Sequence, residues 1–168
     1  KKHNLSEIEL EAQVDKAKQL LLTERTKRIR PGLDDKILTS WNALMLKAYI
    51  DAYNVLDQKE YLEVAVKNAE FIIKECKSKE GKLNRNYKNG KSSINGFLDD
   101  YAFTISAFIS LYQATFDEKW LSEAKVLLSY TLEHFYSTES GMFFYTSDLD
   151  PALIARKMEL SDNVIPAS

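Results

Sequence analysis

Ala52-Tyr53-Asn54-Val55-Leu56-Asp57-Gln58-Lys59-Glu60-Tyr61-Leu62 is echoed about 59 to 60 residues later by Leu111-Tyr112-Gln113-Ala114-Thr115-Phe116-Asp117-Glu118-Lys119-Trp120-Leu121. Each copy closes an apolar stretch, passes a short polar turn at Asp57 or Asp117, and opens an amphipathic stretch. A fixed period of this length marks an array in which each unit buries a face of its neighbour.

Working outward from the turns, the stretches before them are the apolar ones. From Thr39 or Ser40 to Val55 or Leu56 the charges are Lys47 and Asp51, while Leu44, Met45, Ala48, Tyr49, Ala52 and Tyr53 cover most of a helix circumference. From Tyr101 to Phe116 no residue is charged. Helices apolar on all sides are buried on more than one side. The stretches after the turns, about 59–77 and 118–136, carry apolar residues on one face only. Glu63 with Lys67 and Glu70 with Lys74 are i,i+4 pairs in the favoured order on the outer face of the first. Two helical hairpins result, at about 39–78 and 99–136, with buried helices inside and amphipathic ones outside. The tight turns fall at one end and the long loops (29–39, 78–99 and 137–168) at the other. The expected class is all-α, an arc of an α/α toroid made of antiparallel hairpins in two layers.

The rest of the chain fits around this frame. Residues 5–28 read as a helix, with Ser6 and Glu9 forming a capping box and Leu10, Val14, Ala17, Leu20 and Leu21 an apolar stripe. Pro31 and Gly32 end it. Asn89-Gly90 marks a hairpin between strands at about 82–87 and 91–94. Gly141 to Thr146 reads as a short strand and Pro151 to Ile154 as a helical turn, and the chain ends as if a sixth helix were starting. Both ends read as cut, as in a piece of a longer protein.

Composition narrows the function classes. At 168 residues, 45% hydrophobic and 29% charged, the chain has an ordinary globular make-up. Its net charge of -2 comes from interleaved signs. That gives no footprint for nucleic acid or an anionic membrane. No apolar run reaches the ~18 residues of a membrane span. Cys76 is the lone cysteine, so no intrachain disulfide can form. It reads as a small core residue in a reducing, cytoplasmic setting. No Cys/His ligand spacing occurs and Asp148-Leu149-Asp150 is a poor calcium signal, so neither a metal nor another cofactor is expected. An arc leaves apolar flanks uncovered, and self-association is the expected consequence.

The long-loop end carries whatever chemistry there is. It should gather Asp34, Asp35, Trp41, Asn42, Asp99, Asp100, Tyr101, Asp148, Arg156 and Asp162. Asp is a favoured helix cap, and Thr39 is another. Asp34 and Asp99 read as the capping members of their pairs, which leaves Asp35 and Asp100 as candidate acid/base carboxylates. Arg30, Arg156 and Lys157 are available as ion-pair partners. His3 and His134 are the only histidines, and neither is placed at this end by its position in the sequence.

Arg30-Pro31, Asp34-Asp35-Lys36, Leu38-Thr39, Trp41-Asn42, Leu98-Asp99-Asp100-Tyr101-Ala102, Leu111-Tyr112-Gln113-Ala114-Thr115, Gly141-Met142-Phe143-Phe144 and Arg156-Lys157 through Asp162 to Pro166-Ala167-Ser168 together resemble the thioredoxin-domain-containing proteins related to spermatogenesis-associated protein 20. The resemblance runs from about Arg25 onward. It implies an interior piece of an (α/α)6 toroid similar to N-acylglucosamine 2-epimerases and six-hairpin glycosidases. It also implies, as partners in the whole chain, the remainder of the toroid and a thioredoxin-like domain. This chain has no CxxC, so redox chemistry is not expected within it. The implied activity is carbohydrate binding or processing at the long-loop end. Asp35 and Asp100 would be the catalytic candidates, and Trp41, Asn42, Tyr101, Arg30 and Arg156 would contact a sugar-like ligand. Glycosidases need two carboxyl groups about the scissile bond. The alternative is a non-catalytic scaffold, with the same carboxylates consumed by backbone N–H groups and basic side chains.

Overall fold

The structure is a computed structural model that describes residues 5–151 and 155–158. The chain divides into two compact units, Lys1–Asp34 and Asp35–Ser168. The first holds one helix, α1 (Glu7–Thr26). Its start is the expected capping box: the Ser6 hydroxyl accepts from the Glu9 N–H at 3.3 Å, and the Glu9 carboxylate accepts from the Ser6 N–H at 2.9 Å. The apolar stripe exists but stays open, since no residue of α1 is buried.

The second unit contains the two hairpins. Helix α2 (Thr39–Leu56) turns into α3 (Lys59–Phe71), whose last turn widens into a π-helical segment, Ile72–Cys76. Helix α4 (Leu98–Thr115) turns into α5 (Glu118–His134). The repeat is legible in backbone conformation. Asp57 and Phe116, 59 residues apart, both adopt the left-handed region, with φ of 51° and 55°. Each sends its N–H back four residues, to Tyr53 O at 2.9 Å and Tyr112 O at 2.7 Å. A single left-handed residue ends the inner helix and sets the chain antiparallel.

The core lies between α2, α4 and their outer partners. Leu46, Ile50, Ala65, Ala69, Ile72, Leu83, Phe108, Leu111, Leu127 and Phe135 are all fully buried there. Burying each large apolar side chain contributes about 1.5–3 kcal/mol before entropy is subtracted. Trp120 on α5 meets Phe108 on α4 at 5.7 Å between ring centres. Cys76 is buried in this core as expected, and burial pushes its thiol pKa up.

The long connection forms the hairpin that Asn89-Gly90 announces, from β2 (Asn84–Lys88) and β3 (Lys91–Asn95). Asn89 and Gly90 both have positive φ, the combination a tight two-residue hairpin turn demands. A third strand, β1 (Ile37–Leu38), pairs antiparallel with β2 in the register Ile37 opposite Tyr87 and Leu38 opposite Asn86. The sequence pattern did not reveal this pairing, because two residues are too few to show alternation. The expected strand at Gly141–Thr146 shrinks to β5 (Met142–Phe143), which pairs with β4 (Tyr136–Ser137). Residues 152–154 of the turn expected at Pro151 to Ile154, Asp162 and the start of a sixth helix lie outside the described residues. No described helix is long and apolar enough to cross a membrane.

Candidate functional site

The β1–β2–β3 strap and the N-terminal turns of α2 and α4 meet at Asp100. This carboxylate is fully buried. One oxygen accepts from the Ser40 N–H of α2 at 2.9 Å, across sixty residues of sequence. The other accepts from the Phe97 N–H at the start of its own helix at 2.9 Å and from Arg85 Nη1 at 3.2 Å. One side chain therefore caps two inner helices and ties both to strand β2. The first N–H groups of a helix have no partner within it, and negative charge near them is favoured by the helix dipole. Burial, and then the neighbouring Asp99 carboxylate, push the Asp100 pKa up to about 6, against the pull of the Phe97 N–H, Arg85 and the Ser40 N–H.

The capping roles differ from those the sequence suggested. Asp99 was the expected cap of α4, yet its carboxylate reaches only the next backbone N–H, at 3.0 Å, and Arg85 at 3.3 Å. Capping falls to Asp100 because it stands one turn into the helix, where a carboxylate can fold back onto the N–H of the residue preceding the first turn. Thr39 was the expected cap of α2. It is instead the first helical residue, and its hydroxyl donates to Asn84 O on β2 at 2.6 Å. Leu38 precedes the helix without a capping side chain, so Asp100 supplies the acceptor from a distance.

Arg85 completes the cluster. Its guanidinium lies 4.5 Å from the centre of the Phe97 ring as well as against both carboxylates. Burial works against its charge, but Asp100 and Asp99 together outweigh that and raise its pKa. Arg30, Arg156 and Lys157 were the expected partners of the aspartate pairs. Arg85 takes that place because the hairpin register carries it onto the α4 N-terminus. No spacing in the sequence signals this.

The other candidate residues divide sharply by exposure. Trp41, on the first turn of α2, is 62% exposed. Asn42 beside it is half-buried, and its amide donates to Leu38 O at 2.8 Å. Asp35 is an exposed carboxylate ion-paired with Lys88 of β2, whose hydrogen bond lowers its pKa. Tyr101 is fully buried, stacked 5.4 Å from Tyr130, and its hydroxyl accepts from the Leu83 N–H at 2.8 Å. It has no face to offer a ligand. Arg156 is also engaged internally. It donates to Thr146 O at 2.6 Å and to His134 O at 3.1 Å, and stacks 4.1 Å from the Phe144 ring centre. It thereby satisfies the C-terminal end of α5 and pins the final loop. Arg30 and Asp34 belong to the first unit, where Arg30 is exposed. His134 lies at the start of that final loop, its Nδ1 2.9 Å from an Asp148 oxygen. Among the described residues no group of three or more His, Cys, Asp or Glu side chains is placed to hold a metal ion.

The antiparallel helix pairs, inner and outer, are those of the (α/α)6 toroid over part of its length. The α-mannanase of glycoside hydrolase family 76 from Bacteroides thetaiotaomicron superposes with a TM-score of 0.62 at 21% identity, over 70% of this chain and 33% of that one. The cellobiose 2-epimerase of Bacillus thermoamylovorans superposes with a TM-score of 0.61 at 16% identity, over 66% of this chain and 32% of that one. At these identities the likeness is one of fold.

Sequence comparison adds kinship. The chain is 32% identical over 174 residues to uncharacterized protein B0495.5 of Caenorhabditis elegans, covering 99% of this chain and 24% of that protein. It is 28% identical over 158 residues to human spermatogenesis-associated protein 20, covering 88% of this chain and 20% of that protein. This chain is thus a distant homologue of both and spans about a quarter or less of their length. No protein-family model matches it.

Proposed function

We propose that this chain supplies a carbohydrate-contacting segment of a six-hairpin domain, in which Trp41 is the ring-stacking platform and Asp100 is a structural tie. The carrying observation is the contrast between the two residues. Trp41 projects into solvent from the first turn of an inner helix, at the end where the long loops lie. Asp100, one helix away, is sealed and has both oxygens occupied. Further toroid packed around an arc adds cover and removes none, so a carboxylate sealed here does not reach a glycosidic oxygen. Exposed aromatic rings are suited to sugars, whose C–H faces stack on them while the hydroxyls stay hydrated.

The proteins of like fold support the ligand class, since those named above act on mannan or cellobiose by name, and a third of like fold is a D-mannose isomerase. The engaged carboxylates favour binding over hydrolysis within this segment. Asp35 remains the exposed carboxylate nearest in sequence to Trp41 and acts as a ligand-positioning group through its ion pair with Lys88. The whole domain, and the thioredoxin-like domain that the resemblance implies, belong to the same proposal.

Titration calorimetry with a panel of mono- and disaccharides tests it. Binding of at least one sugar is expected, with Trp41→Ala abolishing it and Tyr101→Phe leaving the affinity unchanged. Absence of binding across the panel, or full affinity in Trp41→Ala, would overturn the proposal.

A further inference from the structure

Asn95 Oδ1, the Tyr130 hydroxyl and Thr146 Oγ1 are sealed from solvent and have no hydrogen-bond partner among the described residues. Nearly all buried polar atoms are paired, so a sealed oxygen without a partner marks the place of a water or an ion. These three surround one turn, Ser147–Asp150, at the start of the final loop. Backbone bonds hold the turn: the Asp148 N–H donates to His134 O at 3.0 Å and the Asp150 N–H to Ser147 O at 3.4 Å. Thr146 directly precedes it. Asn95 reaches it from the end of β3, its amide nitrogen donating to Asp150 Oδ1 at 2.6 Å. Tyr130 reaches it from α5, with only 7% of its surface exposed. Burial raises the Tyr130 pKa, the Tyr101 and Ser147 hydroxyls pull it down, and the Asp148 and Asp150 charges raise it again. Both carboxylates are therefore within electrostatic reach of that hydroxyl.

The two carboxylates are oriented by neighbours and not neutralised by them. Asp148 Oδ1 lies 2.9 Å from His134 Nδ1, and Asp150 Oδ1 takes the Asn95 amide. Among the described residues no donor reaches the second oxygen of either. Arg156, the half-buried cation of the loop, spends its donors on the Thr146 and His134 carbonyls. The backbone also bears a cost in bringing Asn95 to the turn. Ile94, just before it, holds a φ of 61° although it is β-branched and 58% exposed. Strain of this kind persists where the surroundings over-determine it, as at ligand clamps.

We infer that this turn binds a calcium ion, to which Asp148 and Asp150 give carboxylate oxygens and Asn95 Oδ1 and Thr146 Oγ1 give neutral ones, while the Tyr130 hydroxyl holds a water on the ion. Calcium takes oxygen ligands of these mixed kinds in a flexible arrangement, whereas magnesium demands a tighter octahedron and gives up its waters reluctantly. The aspartate pair is a poor signal in sequence because its neutral partners come from β3 and α5. A longer polypeptide does not supply the missing partners, since this chain's own residues already seal the three oxygens. The ion would tie the β2–β3 hairpin, the C-terminal end of α5 and the final loop together at the long-loop end.

Thermal unfolding of the purified protein, stripped of metal by a chelator, tests the site in CaCl2, MgCl2 and NaCl at matched ionic strength. Terbium emission excited through tyrosine gives a second readout. The unfolding midpoint should rise with calcium and saturate at about 10⁻⁴–10⁻³ M, the range of sites with few charged ligands. Magnesium should raise it much less, and sodium not at all. Asp150→Asn keeps an acceptor for the Asn95 amide and removes one charge. It should leave the metal-free midpoint unchanged and weaken calcium binding at least about tenfold. Asn95→Ala removes a neutral oxygen, leaves both carboxylates and should weaken binding in the same direction. Tyr130→Phe should reduce the terbium emission. A midpoint that calcium does not move would overturn the inference. So would a rise that magnesium or sodium reproduces, or variants at Asp150 and Asn95 that bind calcium and terbium as the unsubstituted protein does.

Discussion

Removing the carboxylate at position 100 should destabilise the fold, and by an amount that depends on pH. In Asp100→Ala the Ser40 and Phe97 N–H groups lose their acceptor. Each buried, unpaired N–H costs about 1–3 kcal/mol. Of its two carboxylate partners Arg85 keeps Asp99, at 3.3 Å. Against this, the variant no longer carries a buried charge. The rise of the Asp100 pKa from 3.8 to about 6 corresponds to a penalty of order 3 kcal/mol for the ionised form, at about 1.4 kcal/mol per unit. The net loss at pH 8 is therefore expected to be about 1 kcal/mol and no more than about 3 kcal/mol. The sign with pH follows from which state holds the proton. Between about pH 4 and 6 the folded protein keeps a proton on Asp100 that the unfolded chain has released. The group's contribution is then full below about pH 4 and is lost as pH rises through about 6. The gap between the native sequence and Asp100→Ala should widen as pH falls from 8 to 5. Urea unfolding at both pH values, with proportionate midpoints and slopes, measures it. A loss under 0.5 kcal/mol at both pH values, or a gap that narrows on acidification, would refute the role given to Asp100.

Three further outcomes are expected. Tyr101→Phe removes the acceptor of the buried Leu83 N–H and should cost about 1–3 kcal/mol in the same unfolding assay. Phe116→Gly should raise the melting temperature, because an 80% exposed Phe at φ 55° holds a left-handed conformation that costs about 1–2 kcal/mol for residues other than glycine. Gly96→Ala should lower it, since an added Cβ would stand 2.9 Å from Leu83 O, a backbone atom that cannot swing aside.

The helices and their order were legible in the sequence because periodicity is a local signal. The 59-residue step is confirmed even in the φ angles of Asp57 and Phe116. The site was legible only as a region. Which aspartate caps depends on where the Ser40 and Phe97 N–H groups converge, and that is decided by packing sixty residues apart. Tyr101 and Trp41 are both aromatic residues in the first turns of inner helices, and nothing in their neighbours distinguishes them. Tyr101 is sealed by Tyr130 and Phe135, whereas Trp41 lies on the face of α2 that α4 does not cover. Arg85 escaped notice because a strap hairpin, not a helix face, delivers it. Arg156 looked like a ligand contact because a cation in a polar loop carries no mark of the carbonyls it will serve.

The most direct measurement is the two-indole spectrum of the protein during a sugar titration. Trp41 and Trp120 are the chain's only tryptophans, one exposed and one buried against Phe108. With a binding mono- or disaccharide, the Trp41 indole N–H resonance is expected to shift saturably while that of Trp120 stays in place. No shift of Trp41 at any sugar concentration, or a shift of Trp120 alone, would contradict the carbohydrate-contacting role.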